Sequence, residues 1–160
     1  MSAETLGDIV TRNYENHPDK EAILYDGRVF TYREFTARAF RLASALYAQG
    51  LRRQHRIAIL AQNSNAYVET YAAGEVAGYV TVAINYRLAA PEILYILADA
   101  APSVLIFDAE YTDLVAEIKG QIPEIQLLVC IGGGTKAPGW AEDYEDFLQS
   151  APPAPPISPT

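Results

Sequence analysis

Apolar positions along this chain fall at helical spacing first, then in a pair of short runs, and then in repeated alternation of the two. Leu6, Ile9, Val10 and Tyr14 recur at the period of one helix face, and that pattern stops before His17 and Pro18. Residues 21–25 and 28–31 are short β-prone runs on either side of Asp26-Gly27, the usual turn chemistry of a hairpin. The start of the next helix is the sharpest local signal. Thr31 stands at the cap and Glu34 three residues later, the spacing of a capping box, with Phe30 and Phe35 placed for a hydrophobic staple. Phe35, Ala39, Leu42, Ala43 and Leu46 then mark a single face, and Gly50 suits the stop.

Beyond Gly50 strands and helices alternate. Strands are predicted over 56–60, 79–84, 103–107 and 124–131, and helices over 66–77, from Pro91 through Leu97, over 111–121, and over 140–149. Gly78 closes the second of the chain's capped helices, and Pro91 suits the first turn of another. Such alternation with short connections implies an α/β fold, a mostly parallel sheet flanked by helices and preceded by an N-terminal β-hairpin. Apolar strands without a polar alternating face agree, because parallel sheets are commonly buried on both faces. One domain is expected over residues 1–150. Residues 151–160 hold five of the ten prolines and read as an extended linker leading to a further region.

Composition narrows the function classes. The formal net charge is −8 and is uneven: residues 1–91 are near neutral, while residues 92–160 carry eleven Asp/Glu against two Lys/Arg. That balance opposes nucleic-acid binding, which needs a basic face to displace counterions. The seven arginines between Arg28 and Arg56 are offset by carboxylates and read as a solvated helix face. No apolar run approaches the roughly 20 residues that a membrane span requires. The first residues lack the basic and apolar regions of a secretory signal. The one cysteine, Cys130, sits in an apolar run and reads as a small buried hydrophobe rather than a nucleophile, since no His lies near it in sequence. A cytoplasmic location is expected.

In an open parallel sheet, ligands bind beyond the carboxyl ends of the strands. Those ends are residues 61–64, 85–87, 108–110 and 132–136. The first contains no glycine, which disfavours a dinucleotide fold, and Ser64 or Asn65 suits a helix cap. Gly132-Gly133-Gly134-Thr135-Lys136 lacks phosphate-loop spacing and reads as a surface loop. Arg87 in Asn85-Tyr86-Arg87-Leu88 is the most interesting candidate: its guanidinium suits a phosphate or carboxylate in two-point fashion, and equally a surface ion pair. Glu142, Asp143, Glu145 and Asp146 fall on the polar side of the acidic helix, opposite Trp140, Tyr144, Phe147 and Leu148. His17 and His55 have no third ligand at metal spacing.

Three stretches, in order, resemble the adenylate-forming superfamily of acyl-CoA and aryl-CoA ligases, luciferases and peptide-synthetase adenylation domains. Residues 16–23, Asn-His-Pro-Asp-Lys-Glu-Ala-Ile, resemble the opening segment of acyl-CoA synthetases. Residues 30–35, Phe-Thr-Tyr-Arg-Glu-Phe, are similar to that family's first core motif, and residues 74–88, ending in Asn85-x-Arg87-Leu88, to its second. The resemblance covers nearly the whole chain, and Asn-x-Arg-Leu favours the CoA ligases over the peptide-synthetase domains. It implies the first subdomain of a larger ATP-dependent acid–CoA ligase acting through an acyl-adenylate, with ATP, magnesium (Mg) and CoA as cofactors and a small carboxylic acid as substrate. Both cores are largely structural in that family, and its phosphate loop and adenylate-binding elements are not in these residues. No catalytic and no metal residue is therefore carried over, and the chain alone is expected to be inactive. Arg87 alone carries over, as a contact to the CoA nucleotide. A truncated synthetase would also expose an apolar surface and self-associate. The rival from another class is a non-catalytic α/β interaction module that keeps only the scaffold.

Overall fold

A computed structural model describes residues 4–156, which divide into two compact units. Among the described residues the first unit comprises 4–54, 63–79 and 148–156. It holds helices α1 (Leu6–Asn16), α2 (Tyr32–Ala48) and α3 (Asn65–Ala77), with the antiparallel hairpin of β1 (Glu21–Tyr25) and β2 (Arg28–Thr31). Asp26 and Gly27 both take positive φ at the hairpin turn, the conformation that an Asp-Gly pair favours.

Each helix of this unit begins at a side-chain cap. Thr31 Oγ1 accepts from Glu34 N at 3.2 Å while Glu34 Oε2 accepts from Thr31 N at 2.9 Å, the predicted capping box. Thr5 and Asp8 build a second box on α1, and backbone and side-chain bonds from Thr5 lower the Asp8 carboxyl. Ser64 Oγ accepts from Tyr67 N at 3.2 Å and caps α3, which Gly78 closes at φ +73°. Phe35, Ala39 and Ala72 pack together with Val10 and Ile23 against them. One buried ion pair crosses this core: Arg38 Nε donates to Glu69 Oε1 at 2.7 Å, and Asn65 Nδ2 donates to the same oxygen at 2.9 Å. In the proline-rich tail, Ala154 O accepts from Ser44 Oγ at 2.6 Å, and Ala151 O accepts from Arg41.

The second unit comprises His55–Gln62 and Val80–Phe147. Its strands are β3 (Arg56–Leu60), β4 (Val80–Ala83), β5 (Val104–Asp108), β6 (Leu127–Ile131) and β7 (Glu142–Asp143). They form one parallel sheet in the order β4-β3-β5-β6-β7. Helices α4 (Ala90–Ala100) and α5 (Thr112–Ile118) supply Ile93, Leu97, Val115 and Ile118 to a core with Ala58, Leu60, Leu105 and Phe107. Ala58 pairs with Leu105 and Leu60 with Phe107, so these four share one face of the sheet. Ile57, Ile59, Val104 and Ile106 on alternate positions are equally buried, which is why β3 and β5 read as unbroken apolar runs. Each such side chain contributes about 1.5–3 kcal/mol by burial.

Two elements differ from the sequence expectation. The strand expected over 124–131 begins only at Leu127, because a turn from Ile122 O to Ile125 N occupies the preceding residues. The acidic helix expected over 140–149 starts only at Tyr144, as α6 (Tyr144–Gln149). Asp143 Oδ1 accepts from Glu145 N at 3.0 Å and Asp146 N at 3.2 Å, so Asp143 behaves as a cap. The backbone of Glu142 and Asp143 is thereby free to pair with Val129 and Cys130 as a short edge strand.

Candidate functional site

Strand order decides where polar residues can meet. The chain leaves β3 for β4 on one side and returns with β5 on the other, so connections diverge between β3 and β5. A crevice at the carboxyl ends of such a pair is the default ligand position in an open α/β sheet. Gln62 follows β3 and Glu110 follows β5, and Gln62 Nε2 donates to Glu110 Oε1 at 2.6 Å across that point. Side-chain hydrogen bonds from Tyr111 and then Gln62 lower the Glu110 carboxyl, so it stays ionised. Burial, followed by the bond to Glu110, pushes the Tyr111 phenol up to about 12. Beside them, burial raises the Asp108 carboxyl, and Asp108 Oδ1 accepts from Glu110 N at 3.5 Å.

The loop after β4 adds a cation. Asn85 Oδ1 accepts from Arg87 N at 3.0 Å and Asn85 O accepts from Leu88 N at 3.1 Å, closing a tight turn. Glu92 Oε2 then accepts from Ala89 N at 2.8 Å at the start of α4. Arg87 makes no ion pair among the described residues, contrary to the surface-pair alternative. Its guanidinium lies over the Tyr86 ring, with Cζ 4.7 Å from the centroid. Tyr86 in turn meets Tyr111 at 6.4 Å between centroids. Stacking on a ring leaves the N–H edges of the guanidinium open to an anion.

The other candidates have structural roles. Cys130 is fully buried, and burial raises its thiol, the opposite of an activated nucleophile. In the loop after β6, a Cβ at Gly133 would stand 2.9 Å from Ala137 Cα and 3.0 Å from Cys130 Sγ. Close packing thus accounts for the glycine there. His17 ends α1 and His55 precedes β3. No group of three His, Cys, Asp or Glu that could hold a metal ion occurs among the described residues. No helix there is long and apolar enough to cross a membrane. A cleft of about 700 Å³ in the helical unit is lined by Thr5, Asp8, Glu75 and Pro155, but Thr5 and Asp8 are already engaged in the cap of α1.

Of the sequence candidates, the fold brings the residue 61–64, 85–87 and 108–110 segments to adjacent strand ends and sets Arg87 among them. Tyr86, Tyr111 and Gln62 were not singled out. Tyr86 and Gln62 lay inside the strand-end segments, so position was the only available signal, and Tyr111 lies one residue beyond its segment.

Comparison with known proteins gives consistent results. The family model described as "AMP-binding enzyme" matches residues 10–160. A feruloyl-CoA synthase from an Amycolatopsis species is 39% identical over 118 residues, covering 74% of this chain and 24% of that protein. The medium-chain acyl-CoA ligase Mig of Mycobacterium avium is 32% identical over 154 residues, covering 87% and 28%. Among solved structures, the anthranilate CoA ligase AuaEII in complex with anthranoyl-AMP superposes with a TM-score of 0.89 at 27% identity, over 98% of this chain and 30% of that one. The chain thus spans about a quarter of the length of the curated relatives it matches.

Proposed function

The chain belongs to the AMP-binding enzyme family, where it corresponds to the N-terminal part of the adenylate-forming acyl-CoA synthetases, and from that premise we propose that its parent protein is an ATP-dependent acid–CoA ligase. The observation that carries this reading is the family match over residues 10–160, with relatives whose names specify CoA thioesters of aromatic and aliphatic acids. Two half-reactions follow. A carboxylate oxygen attacks the α-phosphorus of ATP, forming an acyl-adenylate and releasing pyrophosphate. The CoA thiol, losing its proton, then attacks the acyl carbon and expels AMP. The anthranoyl-AMP held by the related ligase is the kind of intermediate the first step makes.

Within this scheme the chain's own residues orient and bind. Arg87, which makes no ion pair among the described residues and stands at a strand's carboxyl end, contacts the phosphates of the CoA nucleotide. A guanidinium is well suited to that task, with five donors in a fixed fork. Magnesium offsets phosphate charge in such reactions, but the described residues offer no carboxylate cluster to hold it. We assign no metal ligand and no catalytic residue to this chain, and expect it to be inactive without the remainder of a synthetase.

Acid-dependent ATP–pyrophosphate exchange, measured on this chain and on the longest product of its gene, tests the reading. Exchange by the longer protein alone is expected. Exchange by neither refutes the ligase, and exchange by the short chain overturns the assignment of chemistry elsewhere. Arg87→Ala should raise KM for CoA roughly tenfold, the worth of one charged hydrogen bond, and leave the exchange unchanged.

A further inference from the structure

An arginine on an exposed loop has several rotatable bonds, and holding it in one direction requires something that does not use up its donors. A carboxylate partner would fix Arg87 but would occupy the N–H groups an anion needs and cancel the charge. The structure uses a ring instead. The guanidinium rests on Tyr86, 4.7 Å from the ring centroid, and Tyr86 meets Tyr111 with centroids 6.4 Å apart and planes at 39°. Tyr86 and Tyr111 both pack against the buried core of the sheet unit, so their rings have a rigid backing. Glu110, beside Asp108, accepts hydrogen bonds from Tyr111 and Gln62. The turn at Asn85 fixes the backbone of Arg87 from the other side. Contacts thus run from the switch point of the sheet, through Gln62, Glu110, Tyr111 and Tyr86, to the face of the guanidinium.

We propose that Tyr86 is a positioning residue for Arg87: backed by Tyr111 and the Gln62–Glu110 pair, its ring presents the guanidinium, with donors unoccupied, to the phosphates of the CoA nucleotide. This rests on the reading of Arg87 as a CoA contact given above. It extends the site to four residues that touch no ligand themselves, and it makes the aromatic character at position 86 a determinant of CoA affinity. The hydroxyl of Tyr86 has no part in it.

The test compares Arg87→Ala, Tyr86→Leu and Tyr86→Phe in the longest product of the gene, reading KM for CoA, kcat and ATP–pyrophosphate exchange. Tyr86→Leu should raise KM for CoA about two- to fivefold, the range expected of one exposed cation–ring contact, with exchange unchanged. Tyr86→Phe should behave as the native protein. A normal KM in Tyr86→Leu beside a raised KM in Arg87→Ala overturns the positioning role and leaves the ligase reading intact. An unchanged KM in Arg87→Ala removes the reading on which both rest. Equal loss of exchange and CoA affinity in Tyr86→Leu marks a merely structural role and also overturns the proposal. A second readout needs no activity: the Arg87 Nε–H proton resonance of the 160-residue chain should lie upfield from the ring current of Tyr86. It should return to the ordinary arginine position in Tyr86→Leu; a resonance already at that position in the native chain is contrary to the proposal.

Discussion

The helical and sheet units use polar residues in different ways. In the helical unit they serve secondary structure and the core: Thr5, Thr31 and Ser64 cap helices, and Glu69 accepts from Arg38 and Asn65 in the interior. In the sheet unit the strand backbones satisfy one another in the ladder, and polar side chains gather where the strands stop, as Gln62, Asn85, Arg87, Asp108 and Glu110 do. Helices leave orphan donors at their ends and consume nearby oxygens to satisfy them. A parallel sheet leaves the loops at its carboxyl edge with side chains to spare. The proposed CoA contact therefore falls in the sheet unit, although the cleft of about 700 Å³ lies in the helical one.

The contrast is broken most severely at the buried ion pair. Glu69→Ala removes, from the interior, the carboxylate that accepts from both Arg38 and Asn65. Urea unfolding should register a loss of about 3–5 kcal/mol; a loss below about 1 kcal/mol would mean that the pair is dispensable. Glycine replacement probes both units at once. A Cβ at Gly7 would lie 2.6 Å from Glu75 O, and one at Gly133 would lie 2.9 Å from Ala137 Cα. Gly7→Ala and Gly133→Ala should each cost about 1–3 kcal/mol, with Gly7→Ala the worse because its approach to backbone is the closer.

The smallest expected effect is alkaline. Tyr79, which donates to Ala43 O at 3.0 Å, is pushed up to about 12 chiefly by burial, and Tyr111 is also raised to about 12. The unfolded phenols lose their protons near pH 10, so the folded state holds more protons between pH 10 and 12. Stability should thus be intact below pH 10 and decline from there toward pH 12. Tyr79→Phe should flatten part of that decline in unfolding curves taken at several pH values, and an unaltered slope would argue against a buried phenol.

Much of the architecture was legible along the chain because its signals are local. The capping box at Thr31 and Glu34, the Asp-Gly hairpin, Gly78 after α3 and the apolar strands each depend on residues a few positions apart. The miss at residues 140–149 has the same origin in reverse. Trp140, Tyr144, Phe147 and Leu148 carry a helical period, but Glu142 and Asp143 are claimed by a strand edge thirteen residues earlier in the chain, which no local pattern contains.

For the site, the chain identified strand ends without identifying neighbours. Arg87 could be singled out from its residue type and its place after an apolar run, and the family from three motifs in order. That Gln62 would reach Glu110 and that Tyr111 would back Tyr86 were decided by the sheet order β4-β3-β5. Sequence fixes which backbone groups are satisfied locally. Which leftover side chains meet depends on contacts between segments tens of residues apart, and those exist only once the strands have paired.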